Sequence, residues 1–563
     1  MTGFAVDEKD LPLQRLYRWE RERSKDIHLT QPLAGTVREW TWAQTMDEAR
    51  RIAAYLRSRG FEPGSRIGLY SKNSAWWLIA DYAIWMAGYV SVPIFPTLTP
   101  NSVHNILEHS ESRCCFVGRI DNWEAARRGI PDGMPTVAFP GTSADVSVRW
   151  ENVIAQQAPL EGNPVRAADD LATLIYTSGT TGQPKGVMHT FQSFAAVPHG
   201  MEAHPAIGLY ANDRLFCYLA LAHVGERMVI EANAVHVGAH VYFNDTLQTF
   251  AEDLRRARPH LFFAVPRLWV QFQLGIFARM PESELRKQFD NPTTGPALKR
   301  QIIEGFGFDQ CRLLGGSGAT MPPSVLSWYR ELGLELVEGY GLTENFACCA
   351  TNVPGDNVIG TVGKPFPGVD LRVSDAGEIQ MRAPWVMKGY FRDPEATRNA
   401  FTEDGWLKTG DKGALTAEGR LIITGRIKEI FKTAKGKYVA PAPIESKIQL
   451  GGSVEAVCVT GADRPQPIAL IMLPASLRRA VRHESETKAQ IEASFAKRLE
   501  ELNRLLDPHE RLEFFVLVAD EWTQDSGHLT STLKIKRHSI ETNYGAFYER
   551  WSALHRPVVW HGF

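Results

Sequence analysis

The sequence predicts an α/β protein: a large N-terminal domain of doubly wound sheets with a small β-rich subdomain, followed by a small α+β C-terminal domain. Three observations carry this expectation. At 563 residues the chain exceeds what one hydrophobic core supports. Helix-spaced and strand-like segments alternate through the first 315 or so residues, the rhythm of a doubly wound sheet. After about residue 355 short strands with turns take over, and the charged stretch Arg426 to Lys437 marks a second boundary. The expected domains are therefore 1–425 and 426–563.

The elements follow in order. Asp47 to Arg59 carries Ala49, Ile52, Ala53 and Leu56 at helical spacing, and Arg66 to Tyr70 is a strand. Trp76 to Phe95 is apolar enough to suggest a membrane span, but Asp81, Gly88, Ser91 and Pro93 interrupt it. It is expected as a buried helix to about Gly88 and then a strand. Thr99-Pro100-Asn101 opens another helix, and Cys114 to Val117 is a strand. Leu171 to Ile175, Leu261 to Val265 and Arg312 to Leu314 continue the sheets. Residues 276–300, polar and broken by Pro281, Pro292 and Pro296, are expected as a surface excursion. Gly377 to Met381 and Arg420 to Ile423 are short strands of the later region.

Composition excludes several functions. Lysine plus arginine (62) balances aspartate plus glutamate (64), so no net field draws the chain to nucleic acid. The seven cysteines form no CxxC pair, which argues against a structural zinc site or a disulfide framework. Their odd number and the acidic start MTGFAVDEKD fit a cytoplasmic protein.

The chemistry begins at Tyr176 to Val187, YTSGTTGQPKGV, directly after an apolar strand. Glycines let backbone amides approach an anion, Thr177, Ser178, Thr180 and Thr181 donate hydrogen bonds, and Lys185 brings a point charge. A flexible polar loop is the plain alternative; the strand before and the Pro-Lys-Gly after favour phosphate. It is not a Walker loop, because Pro184 precedes the lysine. Downstream, EGYGLTE (Glu338 to Glu344) sets a tyrosine between glycines, then a hydroxyl and a carboxylate. A glycine-rich turn capped by Thr343 is an equal reading of those residues alone. Gly315-Gly316-Ser317-Gly318-Ala319 is no nucleophile elbow, because alanine replaces the last glycine. WLKTGD (Trp406 to Asp411) offers a carboxylate to ribose hydroxyls, and a turn aspartate is its commoner use.

In this order the motifs resemble the adenylate-forming superfamily of acyl-CoA synthetases, luciferases and carrier-loading adenylation domains. The resemblance implies that Thr177, Ser178, Gly179, Thr180, Thr181, Gly182 and Lys185 bind the ATP phosphates. It places Gly316, Ser317, Glu338, Gly339, Tyr340 and Gly341 around adenine, with Tyr340 stacking on the base. Thr343 then takes the α-phosphate, Glu344 holds Mg²⁺ with Thr177, Asp411 and Arg426 grip the ribose, and Ile423 joins the nucleotide site. Lys428 matches the hinge of a mobile C-terminal domain. LTSTLKIKR (Leu529 to Arg537) aligns the catalytic lysine on Lys534, with Leu533 where glycine is usual. Lys435, Gly436 and Lys437 fall where a CoA tunnel is expected.

CYLALAHVGER (Cys217 to Arg227) is similar to the long-chain acyl-CoA synthetases through His223, Glu226 and Arg227. Ala220 and Gly225 depart from that pattern and put the chain length in doubt. A core histidine is the usual fate of a lone one; its motif gives His223 a pocket role. FFAVPRLW (Phe262 to Trp269) and FKTAKGKYVAPAPIE (Phe431 to Glu445) point to the same branch. The resemblance implies ATP, Mg²⁺ and CoA as co-substrates and cofactor, and a medium- to long-chain fatty acid as substrate. Acyl delivery to a carrier protein, a luciferase-like oxidation and a non-catalytic nucleotide sensor are the rivals. The resemblance also allows a homodimer and peripheral contact with a membrane that supplies the acid.

Overall fold

The computed structural model describes residues 6–142, 146, 148–177, 184–319, 321–449, 453–524, 526–530 and 534–563. Two large mixed sheets form the N-terminal region. One has eight strands, with Leu171–Thr177 and Lys185–Thr190 as an antiparallel pair beside the parallel strands Val90–Ile94, Arg66–Tyr70 and Ser112–Val117. The other has nine strands, in which Arg214–Cys217, Leu261–Ala264, Leu313–Gly316 and Leu336–Tyr340 run parallel in spatial order. Nucleotide-binding crevices of such sheets lie beyond the carboxyl ends of the strands. Here those ends deliver Gly316 opposite Glu338, with Tyr340 two residues farther along the neighbouring strand.

The helix between the two sheets explains the apolar segment. Ala75–Ala87 is buried at every position and ends at Gly88 in the left-handed region, which a glycine adopts without strain. The next strand, Val90–Ile94, follows at once. A helix apolar all round belongs inside a core or a membrane. Among the described residues no helix is long and apolar enough to cross a membrane. Its one charge, Asp81, meets Arg227 in the core.

Two expectations need correction. The helix expected from Asp47 begins earlier, as Trp42–Ser58, because Thr41 caps it: the Gln44 backbone N–H donates to Thr41 Oγ1 at 3.2 Å and the Thr41 N–H to Gln44 Oε1 at 2.9 Å. Residues 276–300 are largely exposed, as expected of a surface excursion, but helical where no element was expected. They run through the helices Pro266–Phe277, Glu282–Phe289 and Gly295–Phe306. Pro296 sits in the first turn, where a proline is tolerated, and Leu285 and Phe289 are buried.

The β-rich subdomain is a four-stranded antiparallel sheet of Asp370–Val373, Glu378–Arg382, Leu407–Leu415 and Leu421–Arg426. Beyond it, the strands Ala456–Thr460, Ile468–Met472, Phe515–Val518 and Val558–His561 form a separate sheet. Its two faces bury apolar clusters drawn entirely from residue 431 onward, and no cluster mixes them with buried residues of the N-terminal region. The fold is thus a large α/β domain with a small α+β domain at its C-terminus.

Candidate active site

Strand ends and tight turns build the site. Thr177 closes one strand and pairs with Lys185, which opens the next, so the phosphate loop is the connection of an antiparallel hairpin. The loop residues Ser178, Gly179, Thr180, Thr181 and Gly182 lie outside the described residues. The Lys185 ammonium stands 4.8 Å from the centroid of the Tyr390 ring. The Tyr390 hydroxyl donates to Glu344 Oε1 at 2.8 Å. Tyr390 itself pairs with Val187 across the hairpin's outgoing strand. One phenol therefore connects Lys185, expected to bind phosphate, with the carboxylate expected to hold the metal. Sequence reasoning passed over Tyr390, which sits in an unremarked KGYF stretch.

The turn bearing Thr343 and Glu344 is a short 3₁₀ helix, Thr343–Asn345. Thr343 does not cap it. Asn345 does the fixing: its Oδ1 accepts from the Leu342 N–H at 2.9 Å. His189 holds the other side, with Nε2 2.7 Å from the Thr343 carbonyl, and burial pushes its pKa down to about 4. The ring is then neutral, and its Nε2–H donates. Gly341 is required here, since a Cβ would fall 2.1 Å from the Ala347 carbonyl carbon. Gly339 has ordinary space.

Tyr340 and Asp411 are joined directly. The Tyr340 hydroxyl donates to Asp411 Oδ2 at 2.6 Å, and Arg426 Nε lies 3.0 Å from Asp411 Oδ1. Asp411 and Arg426 are paired partners across adjacent strands. Burial raises the Asp411 carboxyl, while Arg426 opposes the rise. Ile423, on the same strand as Arg426, packs against the apolar cluster that contains Tyr340. Glu338 accepts the Met321 N–H at 3.0 Å, and burial lifts its pKa to about 7. Gly316 ends its strand against Met321, and after Ser317 the backbone turns through Gly318, whose φ is +88°.

Lys534 reaches this cluster from the far domain. Its Nζ would lie 3.9 Å from a Cβ on Gly318. It feels the charges of Arg426, Asp411 and Glu429, and desolvation followed by Arg426 lowers its pKa. The side chain keeps access to solvent all the same. Arg537 anchors the segment, donating to both oxygens of Glu445 at 2.6 and 3.0 Å and to the Val459 carbonyl at 2.6 Å. Glu429 is a second residue the motifs did not single out.

His223 stands close enough for Lys534 to act on it. Burial and then the lysine charge push its pKa down to about 4. Its Nδ1 accepts from the Gly225 N–H at 3.0 Å, which leaves the proton on Nε2. Its motif neighbours turn inward instead. Glu226 accepts the Tyr218 N–H at 2.8 Å, and burial lifts its pKa to about 8. Arg227 is fully buried between Asp81 and Glu231, donating also to Thr173 Oγ1 at 2.9 Å.

Lys428 lies in the 3₁₀ turn Ile427–Glu429 that leaves the β-rich sheet. Lys435, Gly436 and Lys437 sit at the exposed tip of the hairpin Phe431–Lys432 and Tyr438–Val439. Among the described residues none of these three bonds to Tyr340, Asp411 or Lys534.

Comparison with known proteins places the whole chain in a family. Residues 16–391 match the AMP-binding enzyme family and residues 428–550 the AMP-binding enzyme C-terminal domain. The long-chain-fatty-acid–CoA ligase FadD15 of Mycobacterium bovis is 31% identical, over 96% of this chain and 97% of the relative. A human long-chain-fatty-acid–CoA ligase 1 is 27% identical, over 90% of this chain and 81% of its own. Among solved structures, the A domain of a carboxylic acid reductase from Segniliparus rugosus, in complex with AMP and a co-purified carboxylic acid, superposes with a TM-score of 0.79. It has 21% identity, over 97% of this chain and 94% of that one. An anthranilate CoA ligase gives a TM-score of 0.76 at 22% identity, covering 96% of this chain and 99% of that one. With residues 16–391 and 428–550 both matched, this chain belongs to the AMP-binding enzyme family of adenylate-forming ligases.

Proposed function

We propose that the protein activates a medium- to long-chain fatty acid with ATP, releasing pyrophosphate, and passes the acyl group from AMP to the thiol of CoA. The substrate class rests on the fatty-acid ligases that the chain resembles along nearly its whole length. The observation that carries the chemistry is Lys534, brought by the C-terminal domain to the cluster of Tyr340, Asp411 and Arg426.

A free carboxylate is a poor acyl donor, and joining it to AMP supplies a good leaving group. The carboxylate oxygen attacks the α-phosphorus, the bond to the pyrophosphate oxygen breaks, and no general base is needed because the nucleophile is already anionic. Negative charge gathers at the phosphorus, so electrostatic preorganisation is the main lever. Lys534 and Lys185 supply positive charge, and the Thr343 hydroxyl donates to the α-phosphate. Asp411 takes the ribose hydroxyls, held in place by the Tyr340 hydroxyl and Arg426. The neutral His223 presents Nε2–H to the incoming carboxylate. Glu344, with one oxygen fixed by Tyr390, and the Thr177 hydroxyl are hard oxygen donors that suit Mg²⁺, which would neutralise phosphate charge. For thioester formation the division at 425/426 acts as a hinge about Lys428. Lys534 withdraws, and Lys435, Gly436 and Lys437 line the approach of CoA.

Pyrophosphate release across acids from acetate to C18 and aromatic acids, with and without CoA, tests the proposal. The expected result is a stoichiometric burst without CoA and sustained turnover with it, best for medium and long chains. Turnover on those acids that is indifferent to CoA would shift the acceptor to a carrier protein.

A further inference from the structure

We propose that His199, Glu202 and His236 form a binding site for a divalent transition-metal ion of the zinc class, apart from the nucleotide site. His199 and Glu202 lie three residues apart on the helix Phe191–Ala203, a spacing that puts both on one face. His236 comes from the helix Asn233–Val237, which packs against it. Each residue offers one ligand atom, and the three atoms lie within 4.8 Å of one another. Nε2 of His236 is 2.8 Å from Glu202 Oε2, and the rings of His199 and His236 meet edge to face with centroids 6.2 Å apart.

The donor set decides the ion. Two imidazoles with one carboxylate is a zinc-type set that leaves positions open to water or another ligand. Mg²⁺ and Ca²⁺ prefer oxygen donors, so the catalytic Mg²⁺ is no competitor. His236 forms the floor, with its side chain 1% exposed, and Glu202 the rim, at 46%. Nε2 of His236 faces Glu202, while among the described residues its buried Nδ1 has no hydrogen-bond partner, so the protein satisfies only one of the two ring nitrogens. Outside the three residues themselves, Arg15 is a cation that acts on both Glu202 and His236. Its ion pair with Asp10, at 3.0 Å, offsets much of that charge.

The position gives the ion a task. The helix bearing His199 and Glu202 continues from Lys185–Thr190, the outgoing strand of the phosphate hairpin. Pro198 interrupts that helix's own hydrogen bonding one residue before His199. His236 lies in the last turn of the run of helix that His223 caps, Val224 to Val237. A metal ion would therefore brace the far ends of two segments whose near ends carry Lys185 and His223.

The test is a titration of metal-free, full-length protein with Co²⁺ alone, then with Zn²⁺. We expect one Co²⁺ per chain with visible d–d bands and no thiolate charge-transfer band, displaced by Zn²⁺, and a rise in melting temperature on binding. His199→Ala and Glu202→Ala remove the ligands nearest the surface, and each should weaken affinity by about tenfold or more. Unchanged binding in the double variant, a thiolate band, or no Co²⁺ or Zn²⁺ bound at high micromolar concentration would overturn the site.

Discussion

Lys534 and Tyr390 show how single residues divide the work. Lys534 stands in a crowded cleft wall where desolvation and Arg426 weaken its hold on a proton, while Asp411 and Glu429 strengthen it. Lys534→Ala should slow adenylation by about 10²–10³-fold. Thioester formation from supplied acyl-adenylate should persist, and equal loss in both half-reactions would refute the assignment. Tyr390 aims the Glu344 carboxylate. Tyr390→Phe should raise the Mg²⁺ concentration needed for half-maximal rate while saturating Mg²⁺ restores kcat; an unchanged Mg²⁺ profile would remove the phenol from the site. Lys534 was legible because its motif is local, a lysine among threonines and isoleucine. Tyr390 was not, because its meaning arises only when two strands pair it with Val187 and place it over Lys185.

At the scale of elements, the linker Ile427–Glu429 is a single 3₁₀ turn between a sheet of the first domain and a hairpin of the second. So short a joint can absorb a domain rotation in a few backbone angles. Lys428→Pro fixes φ near −65°. It should leave adenylation close to normal and reduce thioester formation by at least about tenfold, read by separate half-reaction assays; an intact second step would place the hinge elsewhere. Strands and the buried helix were readable from apolar runs, because burial on both faces leaves little choice of residue type. The helices of 276–300 were not, because their apolar residues are few and three prolines pointed to a surface excursion. Those prolines sit outside helices or in a first turn, where they do no harm.

Across the whole molecule, buried ionisable groups set opposing pH limits. His189 and His223 titrate near 4 in the folded chain against an ordinary 6.5, so between those values the unfolded chain binds more protons and stability falls as pH drops. Glu226 does the reverse. Folded, it keeps its proton to about pH 8, and the unfolded chain loses it near 4.5, so stability falls as pH rises across that window. Melting temperature should therefore peak between the two flanks, and Glu226→Gln should flatten the alkaline one. An unaltered alkaline slope would mean that Glu226 ionises freely. The two-domain plan was visible in the sequence as a change of rhythm and a charged stretch, while the route of Lys534 into the first domain's cleft needed three dimensions. The core charges carry one more consequence. Asp81 sits on a helix buried at every position, and its partner Arg227 follows 146 residues later. On the ribosome, at about 5–20 residues per second, the helix waits roughly 7–30 s for its counter-charge. A carboxylate without its counter-charge is costly to bury ionised, so the segment should complete its packing only once Arg227 has been made.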